Sequence, residues 1–200
     1  MTILSFDVAA TAPPRADSIF SINVLGRTLV EGRPVRCIKP IEFIVALALA
    51  GGRMSRDAVL GRIYEYEACQ SAVPTLSYRA RKMGVQVDFD SMSQCYTLRT
   101  PVRVDALEVI KLARRKQARQ ALWLYGGPCL ASSTSPLASA LRLTVENEIV
   151  RAVLDSRDVE LMSRASRYID HSELAQHCTE VDSEPLAKVL GRSYLSAINC

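Results

Sequence analysis

The period of apolar positions changes along this chain, and the changes divide it. Ile19, Ser21 and Asn23 alternate with Phe20, Ile22 and Val24, the two-residue period of a strand. Gly26 and the Gly-Arg-Pro run at 32–34 interrupt the next stretch, so two or three short antiparallel strands are predicted over 19–38. From Lys39 the period lengthens. Ile41, Ile44, Val45 and Ala48 share a helical face, Pro40 suits a first turn, and Gly51-Gly52 stops the helix.

A second helix opens at Ser55, an N-cap, with Asp57 in its first turn and Val59, Leu60 and Ile63 facing inward. A third is predicted over 68–83, with Pro74 in its first turn or a later start. Val85, Val87 and Phe89 then alternate with Gln86, Asp88 and Asp90, and after a turn at 91–94 the segment Cys95–Thr100 returns. That is a hairpin. Three short helices closed by a hairpin describe a winged helix-turn-helix, with the third helix in the recognition position.

Beyond Val104 the strand signals stop. One helix is predicted from Asp105, its cap, to a Gly126-Gly127 stop, with Leu122, Trp123, Leu124 and Tyr125 as helix-pair core. Residues 128–136 read as a loop. Four more amphipathic helices come after it, at 137–157, 158–170, 172–178 and 184–198. Paired helices of this length resemble solenoid repeat units. The expected fold is α+β: a loose arm over 1–17, a winged helix over 18–102, and an all-α, TPR-like domain over 103–200.

Composition narrows the function. At 48% apolar and 23% charged, the chain is neither disordered nor a coiled coil as a whole. Its charge of +4 is unevenly spread: Asp17–Val104 carries 12 Lys/Arg against 8 Asp/Glu, while Asp105–Cys200 carries 12 of each. The excess in the first half suits an anionic partner. The six cysteines stand at 37, 69, 95, 129, 178 and 200, with no C-x-x-C spacing, so reduced, incidental thiols are expected and no metal site. His171 and His177 read as surface or capping residues.

No phosphate loop, dinucleotide fingerprint or H-E-x-x-H appears. No catalytic residue and no cofactor is expected, and the chain does not read as an enzyme. No apolar run reaches membrane-spanning length, and the start lacks the basic flank of a signal peptide. A cytoplasmic protein without membrane contact is expected.

The stretch "SAVPTLSYRARKMG", Ser71 to Gly84, carries the candidate site. On a helix, Ala72, Leu76, Ala80 and Met83 fall inward. Ser71, Pro74, Thr75, Tyr78 and Lys82 lie opposite, with Arg79 and Arg81 flanking, and Ser77 completes the candidate set. Ser71 and Thr75 offer hydroxyls to phosphates or base edges, and Tyr78 offers a ring to a thymine methyl. Arg79, Arg81 and Lys82 would grip phosphates. Arg53 and Arg56 at the helix turn, Arg99 after the hairpin, and Arg27, Arg33, Arg36 and Lys39 on the strand segment could add to that field. Gln94 at the hairpin tip is a candidate for a minor groove. The polar cluster Lys111–Arg119 reads as a solvated face.

Order and spacing then carry a resemblance. "KPIEFIVALALAGGRMSRDAVLGRIY", "LSYRARKMG" and "CYTL" resemble the two leading helices, recognition helix and wing strand of an OmpR-type winged helix. "VDALEVIKLARR" and "ALWLYGGPCL" are similar to the bacterial transcriptional activator domain of the actinobacterial antibiotic regulatory proteins (SARPs). The resemblance covers roughly Phe20 to Ile169. Arg79 stands where the family usually has Leu, Ala80 where it has Arg, Tyr78 where Arg is frequent, and Cys95 where the wing has Gly.

The resemblance implies a transcription activator that binds double-stranded DNA and recruits RNA polymerase, its helical domain touching polymerase or a second copy in a homodimer. The substitutions leave a second class open: a winged-helix adaptor or inhibitor of the transcription machinery that no longer binds DNA.

Overall fold

The computed structural model describes residues 19–65, 69 and 71–176. The arm over 1–17 and the helix expected over 184–198 lie outside the described residues. The class is mixed α+β.

Three strands open the chain: β1 (Phe20–Asn23), β2 (Leu29–Val30) and β3 (Arg33–Pro34), paired antiparallel in sequence order. A strand the period did not reveal joins them. β7 (Val102–Val104) lies parallel to β1, giving the order β3-β2-β1-β7. Three residues are too few to display alternation.

Helix α1 (Lys39–Leu49) is buried from Pro40 to Leu47 and ends at Gly51 and Gly52, both at positive φ. Arg53–Ser55, read as part of a turn, is strand β4. It joins the hairpin of β5 (Val87–Asp90) and β6 (Cys95–Leu98) in a second sheet, β4-β6-β5. Helix α2 (Arg56–Ile63) starts on the Ser55 cap, whose hydroxyl accepts from the Ala58 N–H. Helix α3 (Ala72–Lys82) takes the later of the two starts, with Pro74 in its first turn. It buries Val73, Leu76, Ser77 and Ala80 against α1.

The long helix expected after residue 104 is two helices, α4 (Asp105–Arg114) and α5 (Ala118–Leu124). Lys116 sits at φ 60 between them. Its N–H bonds the Ala113 carbonyl at 2.9 Å, and the Gln117 N–H bonds that of Leu112 at 3.0 Å. This double closure is a Schellman ending, here made with lysine rather than glycine, so residue type did not reveal it. The break resets the helical phase. Ala118, Ala121, Leu122 and Tyr125 are buried and Trp123, expected in the core, is 76% exposed.

Helix α6 (Pro136–Ser156) is capped by Ser135, and α7 (Val159–Ser166) by Asp158. A further helical turn starts at Ser172 and runs to 176. Asp105 is not the cap expected. It occupies the first position of α4, and its carboxylate accepts the N–H groups of Val24 (2.8 Å), Leu25 (3.2 Å) and Ala106 (2.8 Å). Burial raises its pKa and those three bonds pull it back.

Asp105 belongs to a seam that joins the first half to the second. Leu130 N–H bonds the Val24 carbonyl at 2.8 Å, and Gly26 N–H bonds that of Pro128 at 3.1 Å. Gly26 has φ +69, and a Cβ there would stand 2.5 Å from the Gly126 carbonyl oxygen, so only glycine fits. Deeper in, Glu42 is fully buried. It takes the Lys39 ammonium at 3.0 Å and the Ser133 hydroxyl, which also stands 3.2 Å from Ser135 Oγ. One hydrophobic core runs through both halves, from Ile22, Phe43 and Leu76 to Leu130, Ile149 and Leu174. β7, which crosses the division expected near residue 102, is part of that continuity.

Candidate nucleic-acid interface

Helix α3 turns one ridge outward. Ser71, Pro74, Thr75, Tyr78, Arg79, Arg81 and Lys82 are all exposed. Two residues along a helix turn it by about 200°, so Arg79 and Arg81 project to opposite sides of that ridge. Their surroundings agree. Arg79 reaches the Cys37 sulfur at 3.6 Å and acts on Tyr64, on the side of the β3–α1 connection. Arg81 acts on Tyr96, on the hairpin side, together with Arg56 from the start of α2. Burial raises the Tyr96 hydroxyl, and these two cations oppose it. Lys82 stands over the Tyr78 ring, 5.6 Å from its centroid, a cation–π contact that holds both at the surface. Arg56, Arg79, Arg81 and Lys82 form no salt bridge among the described residues.

Other candidates are engaged within the protein. Ser77 is only 2% exposed and belongs to the core. It follows Leu76 on the stripe that includes Val73 and Ala80, so the helical phase turns it inward. The Thr75 hydroxyl donates to the Ser71 carbonyl at 2.8 Å. Ser71 stands 3.1 Å from the Cys69 sulfur and makes no cap bond to α3.

The hairpin carries its own acids. Asp90 lies 3.6 Å from Arg53, which also bonds Ser93 Oγ at 2.8 Å, and Asp88 holds Arg99 at 2.7 Å. Bonds from Ser93 and the Met92 N–H lower the Asp90 pKa. Lys39 is likewise committed, to Glu42 and to the Ile63 carbonyl at 2.9 Å.

Gln94 is not the tip of the hairpin. At φ 52 it folds back, its amide donating to the Ser91 carbonyl at 2.7 Å while its own carbonyl accepts from the Arg56 N–H. The residue that projects is Met92, 93% exposed. Sequence reasoning missed it because an apolar residue in a turn carries no binding signal. The hairpin instead contributes packing: Tyr96 meets Phe43 edge-on at 5.5 Å and Phe89 at 4.7 Å, which anchors the sheet against α1.

The site therefore offers cations, two exposed aromatics, Tyr78 and Phe89, and a projecting methionine. Among the described residues no cluster of His, Cys, Asp and Glu could hold a metal. No helix among them is long and apolar enough to cross a membrane. The free thiols among them are Cys37 and Cys69, both exposed, Cys95, partly buried, and Cys129, buried. The Ser71 hydrogen bond lowers the Cys69 pKa, whereas burial pushes that of Cys129 up to about 12. In the second half, Arg114 pairs with Glu148 at 2.8 Å and Arg119 with Asp158 at 2.9 Å, so part of the polar cluster at 111–119 links helices.

Compared with protein-family models the chain finds no match, and no curated protein matches its sequence.

Proposed function

We propose that this chain is a DNA-binding transcription regulator. Residues 18–102 act as an OmpR-type winged helix-turn-helix, with α3 in the major groove and the β5–β6 hairpin as the wing. The helical region, of activator-domain or TPR-like type, contacts RNA polymerase, so that promoter-bound protein adds contacts that hold polymerase in place. The observation that carries this reading is the splay of cations about α3. A helix in the major groove has a phosphate backbone on either side. Arg79 projects to one side and Arg81 with Arg56 to the other, while Tyr78 and Lys82 occupy the ridge between.

The test is selection from a random-duplex pool at two salt concentrations, wild type beside Arg79→Ala/Arg81→Ala/Lys82→Ala. An enriched motif that the triple variant loses supports the reading. Absence of duplex binding at low salt overturns it.

A second reading has its own observation. Trp123 is 76% exposed on α5, and large rigid aromatics are favoured anchors of protein interfaces. With Arg53, Arg99 and Gln94 occupied internally, the chain would then be an adaptor or inhibitor working through protein contacts alone. Tight partner binding that survives the triple variant but not Trp123→Ala would favour it.

A further inference from the structure

A cleft of about 620 Å³ opens where the two halves meet, bounded by the ends of α1 and α2 and by α4 and α6. Ligand sites run from about 300 to 1,000 Å³ and favour such junctions. Its walls are apolar for the greater part. Leu49 comes from α1, Ile110 from α4, and Leu137 and Leu141 from α6.

Two features at the mouth say what the cleft would accept. The first is Gly61. It stands inside the eight-residue α2, where glycine is a poorer helix former than alanine. Its φ is ordinary, and a Cβ there would meet nothing within 4 Å. Neither backbone conformation nor close packing requires a glycine, so what its absent side chain provides is open space on the cleft wall. The second is Arg62, also on the lining, exposed, and without a salt bridge among the described residues. The other lining cation, Arg114, is held by Glu148. An apolar trough with one guanidinium at its edge that meets no carboxylate among the described residues matches a molecule with an apolar body and one anionic end.

We infer that this cleft binds a small apolar carboxylic acid, its hydrocarbon part against Ile110, Leu137 and Leu141 and its carboxylate on Arg62. Lined by α1 and α2 on one side and α4 and α6 on the other, the ligand would bridge the two halves. The inference is independent of whether α3 meets DNA.

Calorimetric titration of the full chain with octanoate and decanoate tests it, with octylamine and octanol as probes of the same body and a different end. The carboxylates bind and the amine does not. Arg62→Gln weakens decanoate about tenfold or more, the worth of one charge-assisted contact, and leaves octanol unchanged. Gly61→Leu, which fills open space and favours the helix, abolishes binding without lowering the melting temperature. Equal binding of carboxylate and amine, or carboxylate binding undiminished in folded Gly61→Leu, overturns the inference. So does failure of both acids to bind the folded wild type.

Discussion

The seam between the halves and the outer face of α3 use the same residue types in opposite ways. Glu42 is buried, and both its oxygens are taken, by Lys39 and Ser133. Asp105 likewise accepts three backbone N–H groups. On α3, Arg81 and Lys82 are exposed and meet no carboxylate among the described residues. A buried charge persists only when it is paired and bonded, because desolvation costs more than any single contact returns. A surface charge carries no such requirement and remains available to a partner. The hairpin lies between these cases: Arg53 and Arg99 are exposed, yet Asp90 and Asp88 lie beside them. A count of cations therefore overstates the field that a phosphate would meet.

That contrast breaks first at the seam. Gly26→Ala places a Cβ 2.5 Å from the Gly126 oxygen at a positive φ, with an expected cost of about 3 kcal/mol. Glu42→Ala strands the Lys39 ammonium and the Ser133 hydroxyl, at about 2–4 kcal/mol. Urea denaturation followed by circular dichroism should show both losses within one transition. Two separated transitions would mean that the halves fold independently and that the seam is a contact between domains.

On α3 the order of effects inverts. Arg79→Ala/Arg81→Ala/Lys82→Ala should change stability by about 0.5 kcal/mol or less per site. It should flatten the dependence of log affinity on log salt by nearly three, about 0.9 for each phosphate left without its cation. A drop in stability with an unchanged salt slope would assign these residues to the fold. Arg99→Ala, neutralised by Asp88, should alter the slope less than Arg81→Ala. A larger effect from Arg99 would move the contact surface to the hairpin.

Smaller still is the difference between thiols. Below pH 8, a maleimide should modify exposed Cys69 well before Cys129, whose pKa lies at about 12. Duplex DNA should slow the Cys69 reaction if α3 meets it. Above pH 9 the unfolded chain releases the Cys129 proton and the folded chain retains it, so this thiol erodes stability from about pH 9 to 12. Cys129→Ala should reduce that alkaline slope.

Much of the α+β architecture was legible because period and punctuation agreed. Gly51-Gly52 ends α1, Ser55 caps α2, and Val87 and Phe89 alternate with Asp88 and Asp90 on β5. Two departures share a cause. Lys116 in a left-handed turn has no marker in residue type, and without that break Trp123 reads as core. In the site, helical phase accounts both for the exposure of Tyr78, Arg79, Arg81 and Lys82 and for the burial of Ser77, once the facing of α3 onto α1 centres the buried stripe on Val73, Leu76 and Ala80.

By itself the sequence determined most of the helices and the β5–β6 hairpin, where several of these begin and end, and which side of α3 carries the cations. Those are local properties, set by propensity, caps and periodicity within a few residues. Tertiary structure alone decided that Asp88 and Asp90 neutralise two of the candidate arginines, that β7 returns to β1, and that Glu42 finds Ser133 91 positions away. Pairings of that kind depend on which surfaces close over one another, and no local pattern encodes them.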